Sequence, residues 1–278
     1  MTRILVTSAS GANGDGYGTV LSFSAGGTPA GPFSHDPRVT DPRGMSLSPA
    51  GDLVYVTSGD DRVLALDTNG TVTLDSGRTE GLDGGGGTFA PDGRYCLTLR
   101  RRGTILALPP QLDADGKLLL PDGSVPFPRG FGFDRDGRLY LSSGIGPAGQ
   151  GDNTVAIFDS DGGLRNARLV SDPELSPLDL TIAPSGNLVV SSEWPFGSPS
   201  AAATIREYDS STGRLLRVLA PDPSVNLTRP RGLRFGPDGH LYCVGRDQVV
   251  AFDFPTGRFL GVIAELNRLN GQAVLLLP

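Results

Sequence analysis

Apolar residues in this chain fall in short runs, each closed by a cluster of turn-forming residues. Leu53-Val54-Tyr55-Val56, Leu139-Tyr140-Leu141, Leu188-Val189-Val190 and Leu241-Tyr242-Cys243-Val244 are of this kind. Further apolar segments follow after a polar stretch, as in Val63-Leu64-Ala65-Leu66, Val155-Ala156-Ile157-Phe158 and Val249-Val250-Ala251-Phe252. Short runs rich in β-branched and aromatic residues, bounded by Gly, Pro and Asp, predict strands joined by tight turns. The expected class is all-β.

The strands recur as a unit. Pro128-Arg129-Gly130-Phe131-Gly132-Phe133 leads through Asp136-Gly137 to Leu139-Tyr140-Leu141-Ser142-Ser143. In the same way Pro230-Arg231-Gly232-Leu233-Arg234-Phe235 leads through Asp238-Gly239 to Leu241-Tyr242-Cys243-Val244. The unit starts again at Pro42-Arg43-Gly44, at Pro177-Leu178-Asp179 and, degraded, at Gly84-Gly85-Gly86-Gly87. The turn glycines Gly51, Gly93, Gly137, Gly186 and Gly239 stand 42, 44, 49 and 53 residues apart, the period of a four-stranded propeller blade.

Five complete blades leave only the two ends over. Gly271 to Pro278 matches an inner strand, while Ile4 to Ser8 and Thr19 to Phe23 match a second and a third. The expected fold is a six-bladed β-propeller, one domain over 1–278, in which residues 271–278 close the blade begun at the N-terminus. Such closure removes the exposed sheet edges that template aggregation.

Charge and composition then narrow the partners. A net charge of −6 argues against a general binder of nucleic acid or of anionic membranes. No apolar stretch reaches the length of a signal-peptide core or a membrane span, so a soluble, cytoplasmic protein is expected, and a monomer is expected as its state. Cys96 and Cys243 fall on blades across the ring from each other and are expected to be free.

The blade pattern of Pro-x-Gly before an apolar strand, an Asp-Gly turn and a Leu-Tyr start resembles the NHL-repeat propellers. It is also similar to their six-bladed relatives, the streptogramin lyases and the gluconolactonase (senescence marker) family. The likeness spans the chain but rests on a blade motif, which specifies fold rather than activity. The resemblance implies chemistry that this sequence matches only in part. Gluconolactonase-type enzymes hold a divalent metal at the channel mouth with an acidic residue, an Asn and an Asp, the last two at inner-strand starts. Here those slots hold Arg43, Arg129, Leu178 and Arg231, and Asp179 falls one residue late and is expected to point elsewhere. Metal-dependent lactone hydrolysis is therefore disfavoured, and no metal or other cofactor is expected. Streptogramin lyases use a histidine at that slot and a glutamate after the second strand. Glu193 falls near the glutamate, displaced by one residue, but no histidine fills a slot.

In a propeller the inner strands line a central channel. The loops between second and third strands share the face where the inner strands begin. Those loops are long at 11–18, 144–153 and 193–203, and long loops on a rigid scaffold are where binding residues tend to sit. The residue before each inner-strand glycine points at the mouth, giving Gln272, Arg43, Gly85, Arg129, Leu178 and Arg231 in turn. Three arginines on alternate blades suit a carboxylate or phosphate. Each could equally pack along the next blade and pair with a local carboxylate. Trp194, beside Glu193, could wall an apolar ligand or plug its own loop. His35, beside Asp36, is the one histidine placed for acid–base work, although a connector histidine is also ordinary surface. Ser8, Ser58, Ser143 and Ser192 end second strands on this face and, lacking a matching histidine, read as loop-starting hydroxyls.

The expectation is a small-molecule-binding propeller, of lyase or hydrolase type if it is an enzyme. Glu193 and His35 are its candidate catalytic groups. Arg43, Arg129, Arg231, Trp194 and Gln272 are its candidate contacts to a small, anionic ligand. A non-catalytic NHL-like interaction scaffold using the same face is the alternative.

Overall fold

The computed structural model describes residues 3–10, 16–145, 149, 151–198 and 201–278. Its strands form six four-stranded sheets, each a meander of antiparallel neighbours. The inner strands are Gly271–Leu277 in blade 1, Met45–Leu47 in blade 2 and Gly84–Phe89 in blade 3. Pro128–Phe133, Pro177–Ile182 and Gly232–Phe235 serve blades 4, 5 and 6. Among the described residues no helix is long and apolar enough to cross a membrane.

Closure occurs as the sequence pattern requires. Leu277 pairs with Arg3, Leu276 with Ile4, Leu275 with Leu5 and Val274 with Val6, and Val6 in turn pairs with Leu21. Side chains alternate across a strand, so this closing strand serves two cores at once. Val274 and Leu276 pack with Tyr242, Val244 and Val249 of blade 6. Leu275 and Leu277 pack with Met45, Val54 and Leu64 of blade 2. The ring is sealed by apolar burial on both sides as well as by the strand ladder.

On the face away from the mouth, Gly51, Gly93, Gly137, Gly186 and Gly239 take φ between 78° and 88°. A side chain there would be strained, which is why glycine marks the repeat.

The mouth is shaped by bulges. In blade 1 the register passes from Thr7↔Ala273 to Ser8↔Gly271, leaving Gln272 without a partner. In blade 5 it passes from Pro177↔Ser192 to Asp179↔Ser191, leaving out Leu178. Blades 3 and 4 shift likewise between Gly84 and Gly87 and between Pro128 and Phe131. A bulge breaks the two-residue alternation and re-aims side chains. Successive residues Leu178 and Asp179 therefore both border the channel. The expectation that Asp179 points elsewhere is overturned, because it assumed an unbroken strand.

The serines that end second strands are structural pins. Ser58 donates to the carbonyl of Arg38 at 2.8 Å and accepts the N–H of Thr40 at 3.0 Å. Ser143 accepts the N–H of Asp152 at 2.9 Å, and Ser192 that of Ser176 at 2.9 Å. Each hydroxyl ties a loop or connector to its blade. Cys96 and Cys243 are both buried and free.

Candidate functional site

All six slots read from the sequence, Gln272, Arg43, Gly85, Arg129, Leu178 and Arg231, line one cavity of about 90 Å³ at the channel mouth. Arg100, Arg234 and Asp179 line it as well. Sites for drug-sized ligands run to about 300–1,000 Å³, so this one suits a small ion.

Arg100 is a site residue that the slot pattern missed. Gly85 leaves its slot empty, and Arg100, directly after the second strand of the same blade, lies beside it. A Cβ on Gly85 would stand 3.4 Å from Arg100 Cδ. The signal was present as a bare slot next to the run Arg100-Arg101-Arg102. Guanidinium groups thus reach the mouth from blades 2, 3, 4 and 6.

Their partners are unequal. Arg100 is ion-paired with Asp83, and Arg43 sits 3.7 Å from Asp41. Arg129 donates to the carbonyl of Ile145 and lies over the rings of Phe127 (4.8 Å) and Phe196 (5.8 Å). Arg231 reaches Asn270 Oδ1 at 3.4 Å, and Arg234 donates to the carbonyl of Met45 at 3.0 Å. Among the described residues no carboxylate forms an ion pair with Arg129, Arg231 or Arg234. The Nε atoms of Arg100, Arg129 and Arg234 are buried without an acceptor. Each such orphan costs about 1–3 kcal/mol.

The cluster is electrostatically strained. Burial pulls Arg129 down to about 10, and Arg100, Arg231 and Arg43 push the same way. Burial likewise takes Arg231 to about 10, with Arg229, Arg43 and Arg100 adding to it and Glu193 opposing. Arg100 is lowered by burial and then by Arg43. These cations feel one another across the cavity.

One carboxylate lies among them. Asp179 Oδ2 accepts the N–H of Leu233 at 2.8 Å, and its Oδ1 would stand 2.4 Å from a Cβ on Gly130. Burial raises its carboxyl to about 6 against the pull of the Leu233 N–H and Arg234. The residue as a whole is half-buried and lines the cavity.

Three candidates lie elsewhere. Glu193 and Trp194 belong to a strand, not a loop, since Leu188–Trp194 pairs through Glu193↔Ala203 and Trp194↔Ala202. Alternation buries Glu193, whose Oε1 accepts the N–H of Arg229 at 2.6 Å, and turns Trp194 out to solvent. His35 is exposed in the connector, and its neighbour Asp36 is engaged by Arg38, which also holds Asp75. None of the three lines the cavity. Of the long loops, 11–15, 146–148, 150 and 199–200 lie outside the described residues.

The donor set does not fit the divalent metal of the gluconolactonase-type constellation. A dication at this mouth would meet one carboxylate and five guanidinium groups. Among the described residues no three His, Cys, Asp or Glu side chains gather elsewhere for a metal.

Solved structures place the fold among known propellers. The chain matches a structure of a nidogen/laminin complex at 17% identity, over 100% of this chain and 99% of that one, with a TM-score of 0.76. It matches a streptogramin B lyase at 18% identity over 78% of this chain and 67% of that one, with a TM-score of 0.57. A gluconolactonase from Xanthomonas campestris matches at 18% identity over 81% and 76%, with a TM-score of 0.61. The propeller fold is shared. No protein-family model matches the chain, and no curated protein does.

Proposed function

We propose that the protein binds a small anion, a carboxylate or a phosphate, in the arginine-lined mouth of its channel. The observation that carries this reading is the pair Arg129 and Arg231. Both face one cavity, neither forms an ion pair with a carboxylate among the described residues, and Arg43 and Arg100 disfavour the charge of both, as Arg231 does that of Arg129. An arginine kept for stability pairs with an acid or lies along the surface. Clustered guanidinium groups with unmet donors gain stability only when an anion neutralises them. The lyase and gluconolactonase names of the structural neighbours extend the reading to chemistry on such a ligand. Glu193 and His35, outside the cavity, are assigned no part in binding it.

A thermal-shift panel of carboxylates, phosphates, sulfate and neutral lactones tests this directly. A ligand at 100 times its dissociation constant adds about 2.7 kcal/mol. Anions are expected to raise the melting temperature, and neutral lactones to leave it unchanged. A panel in which no anion stabilises the protein would overturn the reading in favour of a protein-docking face.

A further inference from the structure

Blade 5 stands between the two blades that supply Arg129 and Arg231, and its slot residue is apolar Leu178. Directly after it, Asp179 is wedged between the strands that carry those arginines. One carboxylate oxygen lies against Gly130, next in the chain to Arg129. The other is bonded to the N–H of Leu233, two residues from Arg231. Arg129, Arg231 and Asp179 line the same cavity of about 90 Å³, so an anion held there by the arginines shares it with the carboxylate. Two like charges confined to a cavity of that size repel strongly unless one is neutralised.

We infer that the anion is taken up together with one proton, and that Asp179 is the group that receives it. The inference rests on the anion-site reading of the mouth and names the specificity-determining acid within it. No other group lining the cavity can serve. The lining holds five arginines and Gln272 but no His, Cys, Glu or Lys among the described residues. The groups that face Asp179 from packed elements are also accounted for. Arg231 and Arg234 of blade 6, Arg129 of blade 4, and Arg43 and Arg100 across the channel end in guanidinium groups, which have no acceptor for a further proton. The Cys243 thiol of blade 6 is pushed up by burial and by Asp179 itself, and stays protonated. Ser191 accepts the N–H of Asp179 at 2.9 Å and is neutral.

The free carboxyl already titrates at about 6, and a bound anion moves it higher. Between those two values binding consumes a proton. Affinity then weakens as pH rises, by up to about tenfold per pH unit for one linked proton. Below the lower value the site is already protonated and affinity is level. Once protonated, the carboxyl can donate its O–H to the bound anion, so the site favours ligands with an acceptor oxygen at that position.

Sulfate is the probe, because it stays fully ionised between about pH 5 and 8 and cannot supply the proton itself. Calorimetric titrations at about pH 7, in two buffers of different ionisation enthalpy, count the protons taken up with it. The wild-type protein should take up a substantial fraction of one proton per sulfate, with affinity falling from pH 6 to 8. Asp179→Asn keeps the acceptor for the Leu233 N–H. It should bind sulfate at least as tightly, with no proton uptake and a flat pH profile. Sulfate binding to the wild type without proton uptake would overturn the inference and leave the anion site standing. Uptake that persists in Asp179→Asn would move the proton to another group and overturn it as well. Failure of sulfate to bind at any pH would remove the anion site, and this inference with it. The wild-type count needs no variant, so a folding defect in Asp179→Asn leaves the test decisive.

Discussion

Arg100 lies against the slot that Gly85 leaves open, directly after the neighbouring strand of the same blade. The relationship is compensatory. A residue without a side chain stands where the other blades place arginine, glutamine or leucine, and the turn that follows the adjacent strand supplies the cation instead. A Cβ at position 85 would also meet Thr98 Oγ1 at 2.4 Å, so even alanine forces the buried Thr98 to move. Gly85→Ala should cost about 1–3 kcal/mol, as overpacking does, and weaken sulfate binding several-fold by displacing Arg100. Chemical denaturation and sulfate titration check both halves. An unchanged sulfate affinity would take Arg100 out of the site.

The closing strand gives a second prediction. Removing residues 271–277 takes Val274 and Leu276 from one inter-blade core and Leu275 and Leu277 from another. Burial of each large aliphatic side chain contributes roughly 1.5–3 kcal/mol, against a typical total stability of about 5–15 kcal/mol. The truncated chain should aggregate or melt far below the intact one. A soluble truncation melting within a few degrees of it would contradict the closure.

Much of this was legible in the sequence, and the limit has a physical cause. The turn spacing and the leftover ends carry the fold, because every blade repeats the same burial pattern. The ring of slot residues was legible for the same reason: Gln272, Arg43 and Arg231 stand in register with Arg129. What a register argument cannot see is a break in the register. Asp179 faces the channel only because the bulge at Leu178 interrupts the alternation. Glu193 and Trp194, read as loop residues, are carried by a strand that runs on past its turn signal and sends them to opposite sides. Arg100 belongs to no repeat position, since its place depends on the absence of a side chain on the strand beside it.

The cysteines should be inert. Burial pushes the Cys96 thiol up to about 12, and pushes Cys243 up further still with help from Asp179. The nucleophilic thiolate is then scarce, and access is closed. A thiol reagent at about pH 8 should label neither cysteine in the native protein and both in denaturant. Rapid labelling of the native protein would contradict the packing of blades 3 and 6.

Asp179 should also leave a mark on stability. Its carboxyl titrates at about 6 in the fold, against about 3.9 in the unfolded chain. Between about pH 4 and 6 the folded state therefore holds more protons than the unfolded one, and this group's contribution to stability falls as pH rises through that window. It stays lost at neutral pH. Asp179→Asn should melt above the wild type at pH 7, with the margin shrinking toward pH 4. A margin of the opposite sign at pH 7 would contradict the buried placement of the carboxylate.

The central claim is that Arg129 and Arg231 are held together for an anion and not for the fold. Melting curves of the double variant Arg129→Gln, Arg231→Gln, with and without sulfate, test it most directly. Removing two half-buried, unpaired charges of like sign should leave the ligand-free melting temperature unchanged or raised, while the stabilisation by sulfate disappears. This is the trade expected where a site is kept at the expense of stability. A double variant that melts well below the wild type, yet still responds to sulfate, would show that the arginines serve the structure and that the anion binds elsewhere.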